Sequence, residues 1–270
     1  MEAARAPKRG RRRDHSDSMG RRRLFGVLGV VIVLGIWELG GRAGLINPLM
    51  FSSPRAVYSG FTQALSQGWL LADIRASGTE IILGLGFAIV IGVVVGFVSG
   101  LNRWVFFAVD PWVTILYALP TVAIAPLLIN IMGIGLSAKV LVVLLFGVFP
   151  IIINTQTGVH ASSKEYLNVA QVYGARKWRV IKSVIFPGAV PYIMIGIRLA
   201  GARALVGMVV AEFIASDVGI GYRLKFAGSL MQTGLLIAML ILLGLVGVIY
   251  ASAIRRLDNR LSRWRPDQRP

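Results

Sequence analysis

Few side chains in this sequence could do chemistry, and several of them interrupt long apolar stretches. Arg198, Arg203 and Glu212 lie within one such stretch, and Asp110 precedes Pro111 in another. If these stretches cross a bilayer, a charge near its centre costs about 2.5–3.5 kcal/mol on insertion scales and needs a polar neighbour. Two interpretations stay open: an ion pair that fixes the packing of two helices, which we prefer, or the positive lining of a path for an anionic solute.

The residue arrangements that identify enzymes are missing from the sequence. Neither Gly133-Ile-Gly135 nor Gly219-Ile-Gly221 is followed by the Lys-Ser/Thr of a phosphate-binding loop. His15 and His160 have no metal-ligand spacing and no nucleophile partner. The absence of cysteine excludes zinc sites built on thiolates. We therefore expect no catalytic residue, no metal site and no cofactor bound by this chain.

The composition is typical of a membrane protein. Of the 270 residues, 56% are hydrophobic, and the mean hydropathy is +0.71. The net charge of +17 could suggest a nucleic-acid binder, but the basic residues lie almost entirely outside the apolar stretches. The Arg-rich start of the chain also has no interleaved aromatic residues. We therefore predict contact with membrane lipid and none with nucleic acid.

The apolar stretches predict an all-α polytopic membrane protein with six transmembrane helices. The third stretch, residues 104–132, contains three prolines, so it is either one kinked crossing or two separate ones. The other five stretches are residues 24–41, 81–100, 140–157, 191–215 and 233–254.

The distribution of basic residues predicts the orientation. If the third stretch crosses once, 21 basic residues lie on the side of both termini and six on the other. The positive-inside rule makes the first side cytoplasmic. We predict a disordered basic cytoplasmic arm at 1–23, a transmembrane domain at 24–254 with a cytoplasmic loop at 158–188, and a basic cytoplasmic tail at 255–270.

Two further patterns predict how the helices pack. Residues 53–77 are too polar to span, but their apolar residues recur at helical spacing, so we expect an amphipathic helix on the outer face. In the second span, small residues recur at every fourth position and predict a face that another helix approaches closely. These small residues are Gly84, Ala88, Gly92, Gly96 and Gly100.

The long cytoplasmic loop carries the strongest local pattern. It predicts two short amphipathic helices that meet at Gly174, a natural left-handed C-cap, and that end at a break at Pro187. Such a protrusion suits docking in a partner's groove, although a helix lying on lipid headgroups is an alternative. The expected contact residues are Glu165, Asn168, Val169, Ala170, Tyr173, Gly174, Arg176, Trp178 and Pro187.

This loop resembles that of permeases of binding-protein-dependent ABC importers, and within them the nitrate, sulfonate and taurine type. The family pattern is E-A-A, three residues, G, nine residues, then I-x-L-P, and the chain keeps every spacing from Asn168 through Gly174 to Pro187. Asn168 stands where the family has an acid, Val169 where it has the first alanine, and the nearest acid is Glu165. The docking geometry set by Gly174 is unaffected by these departures.

The resemblance extends over residues 51–260. Its further motifs are Ser53-Pro54, Asp110-Pro111, Ala118-Leu-Pro120 to Pro126, Gly133-Ile-Gly135, and Ala211-Glu212-Phe213 leading to Gly219-Ile-Gly221-Tyr222. It implies a type I ABC importer permease-like fold with a cytoplasmic coupling helix, located in the bacterial plasma membrane.

The resemblance also implies a function. The chain would be a transport subunit, not an enzyme, that forms the path for a small anionic or heteroaromatic solute, such as nitrate, a sulfonate, taurine or a vitamin precursor. Its implied partners are a second permease copy in a homodimer, two ATPase subunits that bind ATP and Mg, and an extracytoplasmic solute-binding protein. ATP-driven closure of the ATPases would drive alternating access. A secondary transporter is the rival interpretation, but the inverted repeat typical of that class is not seen.

Overall fold

The computed structural model describes residues 15–43, 52–161 and 175–261, and these are helical almost throughout. The helices are α1 (His15–Arg42), α2 (Pro54–Ser66), α3 (Leu70–Leu101), α4 (Arg103–Ala118), α5 (Thr121–Met132), α6 (Leu136–His160), α7 (Lys177–Ala215), α8 (Ile220–Ser229) and α9 (Thr233–Leu261).

Four of the described helices, α3, α6, α7 and α9, are long and apolar enough to cross a membrane. The count is five when the bent pair α4 and α5 is taken as one span. Helix α1 contains the apolar stretch at 24–41. The predicted all-α, multi-pass architecture is therefore confirmed, while the crossing by α1 stays a prediction.

The third predicted span is broken. Helices α4 and α5 meet at 100°. The break falls at Leu119, whose extended backbone (φ −67°, ψ 141°) follows from its position before Pro120. Pro111 and Pro126 lie inside α4 and α5 without ending them. The break leaves the end of α4 close to α7.

The small-residue face on α3 is confirmed as a packing face, and its partner is α6. A Cβ built on Gly84 would lie 2.6 Å from the Cβ of Val143. A Cβ built on Gly92 would lie 2.8 Å from the Cβ of Ile151. Because no larger side chain fits at these positions, the glycines set the separation of the two helices.

The core of the fold lies where α6 packs between α3 and α7. Ile151 of α6 and Met208 of α7 are both fully buried in it. A smaller cluster joins α2, α8 and the first half of α9 around Leu235 and Met239. Helices α3, α6 and α7 thus form the frame that positions the remaining elements.

The segment at 53–77, predicted to be one amphipathic helix, is divided. Helix α2 ends at Ser66, and Gly68, with φ +75°, turns the chain into α3 at Leu70. Ser53 caps α2 through its side chain, as a helix start at this position requires. Residues 70–77 therefore belong to the second spanning helix.

Helix α7 continues through Pro187, where the sequence predicted a break. It runs as an α-helix over Lys177–Val180, widens into a π-helical turn over Ile181–Ile185, and returns to α-helix over Phe186–Ala215. A proline ring crowds the preceding turn of an α-helix. The wider π turn gives the ring room, so the helix is not interrupted.

Two domain boundaries also differ from the prediction. Helix α1 begins at His15, so part of the arm at 1–23 that was expected to be disordered is helical. Helix α9 continues to Leu261, beyond the predicted end at residue 254 and into the tail. The remaining parts of the arm and tail, residues 1–14 and 262–270, lie outside the described residues.

Candidate functional site

The predicted intramembrane charges Arg198, Arg203 and Glu212 share helix α7 but contact different neighbours. Nη2 of Arg198 lies 3.0 Å from Oδ2 of Asp258 on α9, and both side chains are partly exposed. This is an ion pair between helices, of the kind that we preferred from the sequence. Asp258 was not identified as the partner, because it lies in the predicted tail.

Arg203 contacts an aromatic ring instead of an acid. Its Nη2 donates a hydrogen bond to Oη of Tyr117 at 2.9 Å, and its guanidinium carbon lies 4.5 Å from the ring centroid. Both side chains are exposed. No carboxylate in the described part of the chain lies within ion-pair distance of Arg203. The cation–π contact stabilises the guanidinium but leaves its positive charge uncompensated.

Asp110 lies on α4, on the same helical face as Tyr117 because seven residues separate them. Its side chain is half-buried, and within the described ranges it forms no ion pair. Asp110 and Arg203 are therefore not each other's partners.

Glu212 is fully buried and fully hydrogen-bonded. Its Oε1 accepts from the hydroxyl of Ser77 at 2.6 Å, and its Oε2 accepts from the N–H of Gly221 at 2.6 Å. The carboxylate therefore joins α3, α7 and α8. Its surroundings are those of a structural group, not of one exposed to a path.

Two buried ion pairs adjoin Glu212. Lys139 of α6 pairs with Glu80 of α3 and also donates to Oγ of Ser216 at 3.1 Å. Asp73, which is completely buried, accepts from Nε of Arg223 at 2.6 Å and from the N–H of Gly219 at 2.8 Å.

We refer to Asp73, Ser77, Glu80, Lys139, Glu212 and Arg223 as the buried polar cluster. It contains three carboxylates and two cations, and its members come from α3, α6, α7 and α8. The cluster fastens the turn at 216–219 onto the frame. Of these six residues only Glu212 was a predicted site residue, because the other members are brought to it from distant parts of the chain.

The Gly-Ile-Gly motif at 219–221 forms the wall around the Glu212 carboxylate. Gly219 has φ +123°, a conformation that side chains rarely adopt, and a Cβ there would collide with that carboxylate. A Cβ on Gly221 would lie 2.9 Å from Oε2 of Glu212. The two motifs that the sequence presented separately, around Glu212 and around Gly221, are therefore one structural feature.

Most of the predicted docking loop lies outside the described residues, namely Glu165, Asn168, Val169, Ala170, Tyr173 and Gly174. Arg176 precedes α7, and Trp178 lies in its first turn with 71% of its surface exposed. Pro187 lies half-buried at the start of the second α-helical part of α7. The described end of the loop is thus an exposed basic and aromatic surface, and its contact with a partner stays a prediction.

Comparison with known proteins gives the family. Residues 88–263 match the family described as binding-protein-dependent transport system inner membrane component. The putative aliphatic sulfonates transport permease protein SsuC of Bacillus subtilis is 30% identical, over 91% of this chain and 90% of its own length. The taurine transport system permease protein TauC of Escherichia coli is 30% identical over 87% of each chain. The riboflavin transport system permease protein RibX of Chloroflexus aurantiacus is 32% identical, over 87% and 88%.

Solved structures agree with the fold. The MetNI methionine ABC transporter in inward-facing conformations matches with a TM-score of 0.64 and 16% identity, covering 73% of this chain and 97% of that chain. At this identity the likeness shows the fold alone, and it confirms the predicted type I importer permease architecture. Together with the match over residues 88–263, it confirms the resemblance inferred from the loop motif: this chain belongs to the family of inner membrane permease components of binding-protein-dependent transport systems.

Proposed function

We propose that this chain forms the translocation path of an ABC importer for a small organic anion of the sulfonate or taurine kind. The observation that carries the proposal is the 30% identity, over 91% of the chain, to a permease named for aliphatic sulfonates. The taurine permease at the same identity supports the same solute class. An exposed arginine within the apolar part of α7 is consistent with an anionic solute.

The proposed assembly has two copies of this chain, two ATPase subunits and an extracytoplasmic binding protein. ATP and Mg bind to the ATPase subunits, which dock on the loop between α6 and α7. Both termini and this loop face the cytoplasm, as the distribution of basic residues favours. The exposed Arg176 and Trp178 at the end of the loop offer the charge and apolar area that such a contact needs.

The proposed mechanism is alternating access, with α7 as the element that transmits motion. Helix α7 is continuous over Lys177–Ala215, from the loop to the buried polar cluster. A displacement of its loop end by closing ATPases therefore reaches α3 and α6 through one helix. The π-helical turn at Ile181–Ile185 lies between the docking end and the spanning part, where a change of direction is easiest.

The test is uptake by the reconstituted complex. The chain is co-expressed with its ATPase and its binding protein, and proteoliposomes are assayed with radiolabelled taurine. We expect uptake to require the binding protein and also ATP on the side of the membrane where the ATPase lies. Uptake that follows an ion gradient without ATP would instead identify a secondary transporter.

A heteroaromatic solute is the second candidate, and the 32% identity to a riboflavin permease is the observation that favours it. The same proteoliposomes discriminate the two. Riboflavin uptake without taurine uptake would replace the sulfonate proposal, whereas taurine uptake that excess riboflavin leaves unchanged would support it.

A further inference from the structure

The position of Arg203 is unusual for a charged residue in a spanning helix. It lies at the midpoint of the apolar stretch 191–215, 12 residues from either end, which corresponds to about 18 Å along the helix axis. Snorkelling to a lipid headgroup serves residues near helix ends, not at the centre. Nevertheless the side chain is exposed, not buried in the fold.

The other two charges within residues 191–215 have protein partners. Arg198 pairs with Asp258, and Glu212 is enclosed in the buried polar cluster. Arg203 has only the ring and hydroxyl of Tyr117. An exposed cation at the bilayer centre with no acid beside it needs water or an anion at that surface.

The backbone beside Tyr117 independently indicates a polar space. The bend between α4 and α5 follows Tyr117 directly, and both Leu119 and Pro120 at the break are exposed. Non-helical backbone at membrane depth is tolerated only where it is covered by protein or lines a water-filled cavity. The described residues of one copy do not cover this break, so in the proposed dimer the break and Arg203 face either water or the second copy.

We propose that Arg203 and Tyr117 form a binding site for the oxyanion group of the solute on the translocation path. This inference rests on the proposed function and adds the residues and the chemical group that they recognise. The planar guanidinium donates one N–H to Tyr117 and keeps others for a sulfonate, a carboxylate or nitrate. The Tyr117 hydroxyl accepts from Arg203, so its own proton is free to donate to the same anion.

The surrounding charges predict that this site prefers anions to cations. They also predict where along α4 the anion binds. The ring contact leaves the positive charge of the guanidinium uncompensated, so the guanidinium attracts an anion and repels a cation. Asp110 lies on the same face of α4, about 10 Å earlier along the axis. The negative charge of Asp110 disfavours an anion close to it on that face, so the favoured position of the anion is beside Arg203.

The absence of cysteine allows a test that needs no knowledge of the solute. Val206, exposed and one turn from Arg203, is replaced by cysteine in the complete permease–ATPase complex in nanodiscs. An anionic and a cationic reagent are compared, sulfonatoethyl and trimethylammonioethyl methanethiosulfonate. The modification rate of each is divided by its rate with a small free thiol. We expect the anionic reagent to be favoured, and Arg203→Gln to lower the ratio of the two rates by about tenfold or more.

Two variants control for altered folding and for general charge effects. Arg203→Lys keeps the charge and should largely preserve the ratio. Arg198→Gln changes the net charge of the same helix by the same amount at a position that contacts Asp258 of α9, not Tyr117, and should leave the ratio unchanged. A cysteine at 206 that neither reagent modifies, or a ratio that Arg203→Gln leaves unchanged, would overturn the proposal.

Transport assays can distinguish failure of the Arg203 anion site from failure of the proposed sulfonate import. With taurine as the solute, Arg203→Gln and, to a smaller extent, Tyr117→Phe should raise the concentration for half-maximal stimulation of ATP hydrolysis. Wild-type values in Arg203→Gln would contradict the solute site. If wild-type complex does not import taurine but the reagent ratio still depends on Arg203, the sulfonate assignment fails and the anion site is supported.

Discussion

Gly219 shows how much a single residue can determine in this fold. Its backbone lies in a region that is essentially restricted to glycine, at a cost of about 1–3 kcal/mol for other residues. Its missing side chain also leaves the room that the Glu212 carboxylate occupies. Both requirements meet at one position, in the turn that joins α7 to α8.

We therefore expect Gly219→Ala to destabilise the detergent-solubilised protein by at least the backbone strain of about 1–3 kcal/mol and so to lower its melting temperature. Gly133→Ala is the matched control, because Gly133 also has positive φ (79°) but no atom within 4 Å of its would-be Cβ. Differential scanning fluorimetry measures both. Equal losses would mean that backbone strain alone matters and that crowding of Glu212 does not.

The ion pair between Lys139 and Glu80 yields a second prediction. Removing one partner leaves a buried charge uncompensated, which costs about 3–5 kcal/mol. Lys139→Met should therefore destabilise the protein strongly, and Lys139→Met combined with Glu80→Gln should recover part of the loss. Unfolding in graded denaturing detergent compares both variants with the wild-type protein.

The exposed pair between Arg198 and Asp258 serves as the control, since surface pairs contribute about 0–1 kcal/mol. Arg198→Gln should change stability little. A double variant no more stable than Lys139→Met would show that Glu80 has another partner when Lys139 is lost.

Individual residues also show which contacts the sequence alone could not predict. Glu212 and the Gly-Ile-Gly motif were noticed because they stand out locally. Asp73 and Lys139 were not, because Asp73 meets Arg223 across 150 positions and Lys139 meets Ser216 across 77. A lone sequence contains no signal for such long-range contacts between ordinary polar residues.

At the scale of elements, the four-residue spacing of small residues correctly predicted a packing face, whereas the positions of prolines did not reliably predict where helices end. The small-residue face of α3 was correctly identified, because a repeat of four residues places its members on one side of any α-helix. Pro187 was expected to end a helix, but a π-helical turn accommodates it. Pro120 does break the chain's third span. Which proline bends a helix depends on packing and on local helical pitch, which sequence spacing does not reveal.

The close packing of α3 against α6 can be tested by substitution of glycines on α3. Gly92→Leu should disrupt packing, since even a Cβ would lie 2.8 Å from Ile151, and overpacking costs about 1–3 kcal/mol or more. Gly86→Leu on the same helix should be tolerated, because nothing lies within 4 Å of the Cβ position there. Yield of monodisperse protein and thermal unfolding compare the two. Similar behaviour of both variants would contradict the assignment of α6 as the partner of this face.

At the scale of the whole molecule, the basic residues assigned to the outer side differ in how deeply they are buried. Of the six basic residues assigned to the outer side, Lys139 and Arg223 are largely buried in ion pairs with Glu80 and Asp73. The remaining four, Arg42, Arg55, Arg75 and Lys225, are exposed. The orientation therefore rests on the count of basic residues, 21 against six, and stays a prediction.

The orientation depends on whether α4 and α5 together cross the membrane once. A single crossing places the start of α4 and the end of α5 on opposite sides, whereas a re-entrant pair returns both to the same side. Only the single crossing, with α1 and the four long helices also crossing, gives an even number of spans and puts both termini on one side.

Cysteine labelling in vesicles of known orientation tests this. Arg103→Cys reports the start of α4, and Ile134→Cys, where the native side chain is 82% exposed, reports the end of α5. A membrane-impermeant maleimide should label position 134 in right-side-out vesicles and position 103 only in inverted ones. Labelling of both from the same side would show a re-entrant pair, and the termini would then lie on opposite sides of the membrane.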